Sequence, residues 1–338
     1  MTLVRVALDA MGGDHAPAEI CAGALDAVTP GELEIILVGR EQAIVAHLPA
    51  TVPAGVRIIV ANDVIDFDEE PAAAVRSKPD ASLVRTAALV RDGEADAAVS
   101  AGSTGAMMAA SLFAMRRIPG VIRPALAAVL PGAGGPVTML DCGATTDPRP
   151  EQLVQYAHMG LCFAKDVLGI EEPTCGLLTI GEEPGKGNQL ARDAYELLVA
   201  EPGIAFRGNV EGRDVISDKV NVIVTDGFTG NVALKTAEGA ARQVLKEIRA
   251  AAESSSRAKI GGLLLRQAVR RVRTRLDWET YGGAHLLGLS GVSVIAHGSS
   301  SRVAVANACR LAATGVRHDI CAHVTSSIAG SRARGSLC

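Results

Sequence analysis

Apolar positions along the chain fall into short, closely spaced runs separated by longer mixed segments. VRVALDA, LEIILVG, VRIIVA, ADAAVSAG, ALAAVLPG, PVTMLDCGA, CGLLTIG, VNVIVTDG and GVSVIAHG each have the length and branched character of a buried strand, and several end on Gly or Asp. Between them, PAEICAGALDAV, STGAMMAASLFAMRR, PEQLVQYAHMGLCFAKDV and QLARDAYELLVAE repeat apolar residues at helical spacing. Alternation of strand and helix predicts an α/β fold built on a mostly parallel sheet with helices on both faces. In such sheets ligands bind beyond the carboxyl ends of strands.

One region breaks the alternation. From Arg242 to Arg275 there are ten Lys and Arg residues against only Glu247 and Glu253, and the pattern predicts two helices joined at Ser254-Ser255-Ser256. In the second, Leu264, Leu265, Ala268, Val269, Val272 and Leu276 form an apolar arc, while Arg266, Arg270 and Arg273 project to the other side. After His318 the chain is rich in Ser, Gly and Arg and reads as a frayed tail over 321–338. The expected organisation is one α/β unit over 1–320 that carries a basic helical hairpin at 236–277.

Composition narrows the class. A 338-residue chain that is 48% apolar buries a large core, and 3% aromatic content argues against a nucleic-acid stacking platform. A net charge of -4 makes any electrostatic message local. Seven cysteines without a CxxC pair fit reduced thiols in a cytoplasm. The amino terminus turns too early, at Gly12-Gly13, for a signal peptide, and no long uninterrupted apolar run predicts a membrane span.

Candidate chemistry sits in the strand-end loops. Asp9, Gly12, Gly13, Asp14 and His15 precede a helix, as do Gly102, Ser103, Thr104 and Gly105, and amides freed at a helix start suit a phosphate or oxyanion. Each loop also has a plain reading as a tight turn with a capping residue. Asp226 and Gly230 open a further helix in which Asn231 and Lys235, four apart, share a face and aim an amide and a cation at one point. His297, followed by Ser299, Ser300 and Ser301, offers a general acid or anion ligand, without the GxSxG elbow of a serine hydrolase. GEEPGKGN carries Lys186 and Asn188 but is one residue too short between Gly181 and Gly185 for a P-loop. Val137 occupies the third-glycine position of a dinucleotide fingerprint. Neither ATP nor NAD is indicated, nor is any metal spacing.

DAMGGDHAP, SAGSTGA, IGEEPGKGN, DGFTGNVALKTAEG and YGGAHLLGLSGV together resemble the phosphate acyltransferase family of bacterial phospholipid synthesis, over nearly the whole chain. The resemblance implies an isopropylmalate-dehydrogenase-like fold and transfer of a fatty acyl group from acyl carrier protein to inorganic phosphate. It also implies a homodimer without metal or nucleotide cofactor, located in the cytoplasm and attached peripherally to an anionic membrane surface. A glycerol-3-phosphate acyltransferase is the implied downstream partner, and the hairpin is the implied contact for membrane or carrier protein. The sequence departs from the family pattern at Ser103, Thr145 and Ser301, where Asn is usual.

For that reaction the candidate catalytic residues are Asn231 and Lys235 for charge stabilisation and His15 or His297 for proton handling. The glycine-rich turns at Gly12-Gly13 and Gly102–Gly105 are expected to hold phosphate. Two rival classes remain at this level: an oxidoreductase on the same fold, opposed by the missing fingerprint, and a non-catalytic membrane scaffold that uses only the hairpin.

Overall fold

The computed structural model describes residues 2–276 and 278–335. Strands are β1 (Val4–Asp9), β2 (Leu33–Gly39), β3 (Val56–Val60), β4 (Ala97–Ser100), β5 (Ala125–Gly132), β6 (Gly135–Leu140), β7 (Cys175–Leu178), β8 (Phe206–Val210), β9 (Val222–Val224), β10 (Ala284–Leu287) and β11 (Val292–Ile295). Helices are α1 (Ala18–Ala27), α2 (Glu41–Val45), α3 (Pro71–Ser77), α4 (Ser82–Arg91), α5 (Thr104–Met115), α6 (Pro150–Asp166), α7 (Gln189–Ala200), α8 (Gly227–Glu253), α9 (Ser256–Leu276), α10 (Arg302–Arg317) and α11 (Ile320–Gly335).

The strands form one sheet in the order β3-β2-β1-β4-β11-β10-β5-β6-β9-β7-β8. Pairing is parallel except at β11–β10, β10–β5 and β5–β6. Those three reversals set the β1-side strands and the β9-side strands running in opposite directions, with β10 and β5 as the seam. Alternate residues of β1, Val4, Val6 and Leu8, face Ile20 and Ala24 of α1 and Val305 and Cys309 of α10. On the other face Leu126, Ala128 and Leu130 of β5 pack with Ala106, Met107 and Ala110 of α5. Period-two burial on both faces is what a helix-covered sheet requires.

All nine expected strands form. β8 and β10 are additional. β8 contains Asn209 and Gly208 at φ 94°, and β10 is only four residues long, lies close to Gly283 and Gly288 and carries the buried His285. Neither composition favours a strand locally, and tertiary pairing decides both. The frayed-tail expectation is corrected: residues 320–335 are α11, seated on α6 by Ile320, Val324 and Ile328, each buried. Those residues recur at i, i+4 and i+8, enough to anchor a helix whose other positions are mostly small or polar. Residues 336–338 of the expected tail lie outside the described residues.

Two buried carboxylates organise the strand ends. Asp9 accepts from the Ser100 hydroxyl (2.7 Å) and the Met11 amide (3.1 Å), tying the β1 loop to the β4 loop. Asp141, just past β6, accepts from the amides of Leu126 (3.0 Å), Gly143 (3.2 Å), Ala144 (3.0 Å) and Thr145 (2.6 Å). Burial pushes both carboxyls above their ordinary range, and the hydrogen bonds pull them back. At Asp141 all four partners are backbone donors, and the two carboxyl oxygens accept from all of them. Asp141→Ala leaves four buried or half-buried amides without their acceptor. We expect a loss of at least about 3 kcal/mol in urea unfolding, since each stranded donor costs about 1–3 kcal/mol.

Candidate active site

The first turn of α8 is built onto the Asp141 loop. Asp226 caps the helix by accepting from the Thr229 amide (2.8 Å), and the Gly227 amide donates to the Thr145 carbonyl (2.8 Å). Gly230 lies so close that a Cβ would collide with the Asp141 carbonyl, which is why this position excludes every larger residue. Seated this way, the helix presents Asn231, Lys235, Glu238 and Arg242, spaced by four, three and four residues, along one face.

That face lines a cleft of about 330 Å³ lying on the β5–β10–β11 seam. Leu126 and Ala128 of β5, Ala284 of β10, Ile295 of β11, Cys142 and Leu234 supply apolar walls. Thr104 at the start of α5, and His297, Ser299 and Ser300 in the loop after β11, add polar groups from the opposite half-sheet. Trp278, Glu279 and Tyr281, between α9 and β10, complete the lining. The cleft thus has an apolar floor and one cationic side.

Lys235 Nζ lies 3.1 Å from a Glu238 carboxylate oxygen, and the lysine side chain is 48% exposed while Glu238 is 12% exposed. An ion pair this open contributes little to stability. Its value is positional, because it points the ammonium along the helix face. His297 Nδ1 accepts from the Ser299 amide (3.2 Å) and hydroxyl (2.9 Å). An amide can only donate, so the neutral imidazole carries its proton on Nε2 and is a donor there. Burial, with the positive charges of Lys235 and Arg242, holds His297 below its ordinary pKa, against the opposing pull of Glu238 and Asp14.

Of the residues expected from sequence, Thr104, Asn231, Lys235, His297, Ser299 and Ser300 meet in this cleft. Asp9, Gly12, Gly13 and Asp14 stand behind it. A Cβ on Gly12 would strike the Asp9 carboxylate and lie 2.7 Å from the Gly102 amide nitrogen, and the Asp14 amide donates to the Gly298 carbonyl (2.7 Å). These glycines bring three loops into contact rather than lining the cleft. Ser103 caps α5 through the Ala106 amide (3.4 Å), and Gly105 packs on Pro71. His15 is exposed and does not line the cleft. Lys186 and Asn188 are likewise outside it, and Asn188 caps α7 through the Ala191 amide (2.9 Å).

At the other departures from the family pattern, Thr145 supplies backbone bonds to Asp141 and Gly227, and Ser301 donates to Glu279 (2.8 Å). Sequence reasoning passed over Glu238 and Arg242, though the 231-235-238-242 spacing carries both. Cys142 is no nucleophile in waiting: burial drives its thiol far up, and its Sγ is bonded to the Met139 carbonyl (3.3 Å).

Away from the cleft, α9 packs mainly on α8 and leaves Leu263, Leu264 and Leu265 exposed, with Arg266 and Arg270 also in solvent. The Arg273 side chain lies outside the described residues. No helix among the described residues is long and apolar enough to cross a membrane.

The chain matches the family model described as fatty acid synthesis protein over residues 4–323. It is 48% identical over 331 residues to a phosphate acyltransferase of Heliobacterium modesticaldum, covering 97% of this chain and 98% of that protein. It is 50% identical over 329 residues to a phosphate acyltransferase of Thermobifida fusca, covering 96% and 91%. Among solved structures, a phosphotransacetylase from Streptococcus pyogenes superposes with a TM-score of 0.62 at 17% identity, covering 93% of this chain and 94% of that one, a likeness of fold. By the full-length family match and by near half identity to these relatives, the chain belongs to the fatty acid synthesis protein family that includes the phosphate acyltransferases.

Proposed function

We propose that the cleft transfers a fatty acyl group from the thioester of acyl carrier protein to inorganic phosphate, releasing acyl phosphate. The observation that carries this reading is the Asn231–Lys235–Glu238–Arg242 face set opposite His297 above an apolar floor. The full-length relatives named phosphate acyltransferase support it.

The chemistry needs little more than placement and charge. A phosphate oxygen attacks the thioester carbonyl carbon, a C–O bond forms, and the carbonyl oxygen takes up negative charge. Collapse of that tetrahedral species breaks the C–S bond and releases the carrier's thiolate. Lys235 and Arg242 offset the charge of phosphate, while the Asn231 amide and the His297 Nε2–H are donors for the developing oxyanion. No covalent enzyme intermediate is required, consistent with the inert Cys142. Incubating the protein with acyl-acyl carrier protein and phosphate, then trapping acyl phosphate with hydroxylamine, tests the reading. A folded protein that yields none overturns it.

The hairpin supports a second element of the proposal, peripheral attachment to an anionic membrane. Exposed Leu263, Leu264 and Leu265 stand on the same helix as the Arg side chains, the pairing of apolar area and positive charge that an interfacial helix uses. A homodimer and a downstream glycerol-3-phosphate acyltransferase that consumes acyl phosphate belong to the same reading.

Three results are expected. Lys235→Ala lowers kcat by about 10²–10³-fold, the effect of removing one positioned charge, while the melting temperature hardly moves because the side chain is half exposed. Steady-state kinetics beside a thermal melt checks this. Because His297 is held below its ordinary pKa, it stays neutral into mildly acidic solution; protonation puts a proton on Nδ1 against the Ser299 amide and breaks the bond that orients the ring, so activity declines only in more acidic solution. His297→Asn should remove this acid limb; the limb from phosphate ionisation is common to both proteins, so the ratio of their pH profiles isolates the imidazole. Replacing Leu264 and Leu265 with Glu should abolish co-sedimentation with anionic vesicles and leave transfer from soluble acyl carrier protein intact.

A further inference from the structure

A second polar cleft, of about 550 Å³, is lined in part by Thr145 of the Asp141–Thr145 loop. Arg117, Arg123 and Arg149 line it, with Asp147 as the acidic residue of the lining. It adjoins a shallower cleft of about 390 Å³ that shares Leu112 and Arg117 and adds Arg116. Four arginines therefore crowd one surface of a protein whose net charge is -4. Among the described residues none of the four is in a salt bridge with an acidic side chain, and all four are exposed. Arg117 is held in place by donating to the carbonyls of Val121 and Ile122.

With four arginines against the single Asp147 of the lining, like charges on this face repel one another, and an anionic partner relieves that repulsion. Exposed, solvated guanidinium groups at the rim of an open cleft suit an extended array of carboxylates better than one enclosed small anion, which would need desolvated donors. The surface also shares a loop with the candidate active site. Thr145, in the lining of the arginine cleft, is one residue of a short loop whose Gly143 lines the other.

We infer that the Arg116–Arg117–Arg123–Arg149 surface is the docking face for an acidic segment of the carrier that brings in the acyl thioester. The inference rests on the proposed transfer reaction and adds to it where the donor binds. The carrier's acidic side lies against the arginines and its thioester arm crosses the Asp141–Thr145 loop into the cleft. Docking of this kind is set by long-range charge, so it governs encounter rather than chemistry.

The test compares wild type with an Arg123→Glu, Arg149→Glu double variant, which spares the loop-anchoring Arg117. Two donors are used, acyl-acyl carrier protein and the same chain on free pantetheine, which lacks a protein surface. The expected result is a KM for acyl-acyl carrier protein raised at least about tenfold, with kcat, the KM for phosphate and all rates on acyl-pantetheine unchanged. The salt dependence of kcat/KM on the carrier should flatten as well. An unchanged KM for the carrier, an equal loss on both donors, or a rise in the KM for phosphate in a folded variant each overturns the docking face, the last by making the cleft a small-anion site. Failure of the wild type to use acyl-acyl carrier protein at all instead defeats the proposed function, so the two readings fail separately.

Discussion

The Asp141 carboxylate is the joint on which the candidate site hangs. By gathering amides from the start of β5 and from three successive loop residues, it converts the end of β6 into a rigid shelf. The first turn of α8 rests on that shelf through the Gly227–Thr145 hydrogen bond and the glycine contact at Gly230. Every functional position on α8 is set by this seating, since a helix transmits the placement of its first turn along its length. Asp9 does the equivalent work across the sheet, joining the β1 and β4 loops behind the His297 loop. Each half-sheet thus has a buried carboxylate that fixes loops beside the seam, and the two cleft walls inherit that rigidity.

One helix then serves two ends of the molecule. At 27 residues α8 spans about 40 Å, from the capped turn beside the cleft to the junction with α9. Its first half carries the Asn231 to Glu238 part of the face, and its outer part leaves Val244 and Ile248 exposed. An element rigidly seated at one end and sparsely packed at the other combines an ordered candidate site with an exposed apolar surface.

Much of this was legible in the chain because β-branched runs ending on Gly or Asp are locally unambiguous, as at VRVALDA and VNVIVTDG. β10 was not, since AHLL gains its strand geometry only from the neighbours that pair with it. The cleft residues on α8 were half legible: Asn231 and Lys235 drew notice as a pair, while Glu238 and Arg242 continue the same face two turns further. His15 drew attention by standing in a polar loop, yet the loop faces Gly298 and leaves the imidazole in solvent. The arginine surface could not be read at all. Its members come from the end of α5, the approach to β5 and the start of α6, segments that meet only in the folded chain.

The charge balance of the cleft bears on turnover as well as binding. Lys235 and Arg242 bring two positive charges, Glu238 returns one negative, and His297 held neutral adds none at mild pH. For the proposed reaction, in which phosphate enters and acyl phosphate leaves, a stronger positive site would hold both anions and gain nothing at the transition state, because uniform binding leaves kcat unchanged. Glu238 moderates that attraction while fixing the direction of the ammonium. The neutral imidazole contributes through its directed Nε2–H, a donor whose interaction strengthens as the carbonyl oxygen becomes charged. In the proposed transfer, discrimination between ground and transition states falls to oriented dipoles, Asn231 and His297, and the net charge is left to retain phosphate without trapping the product.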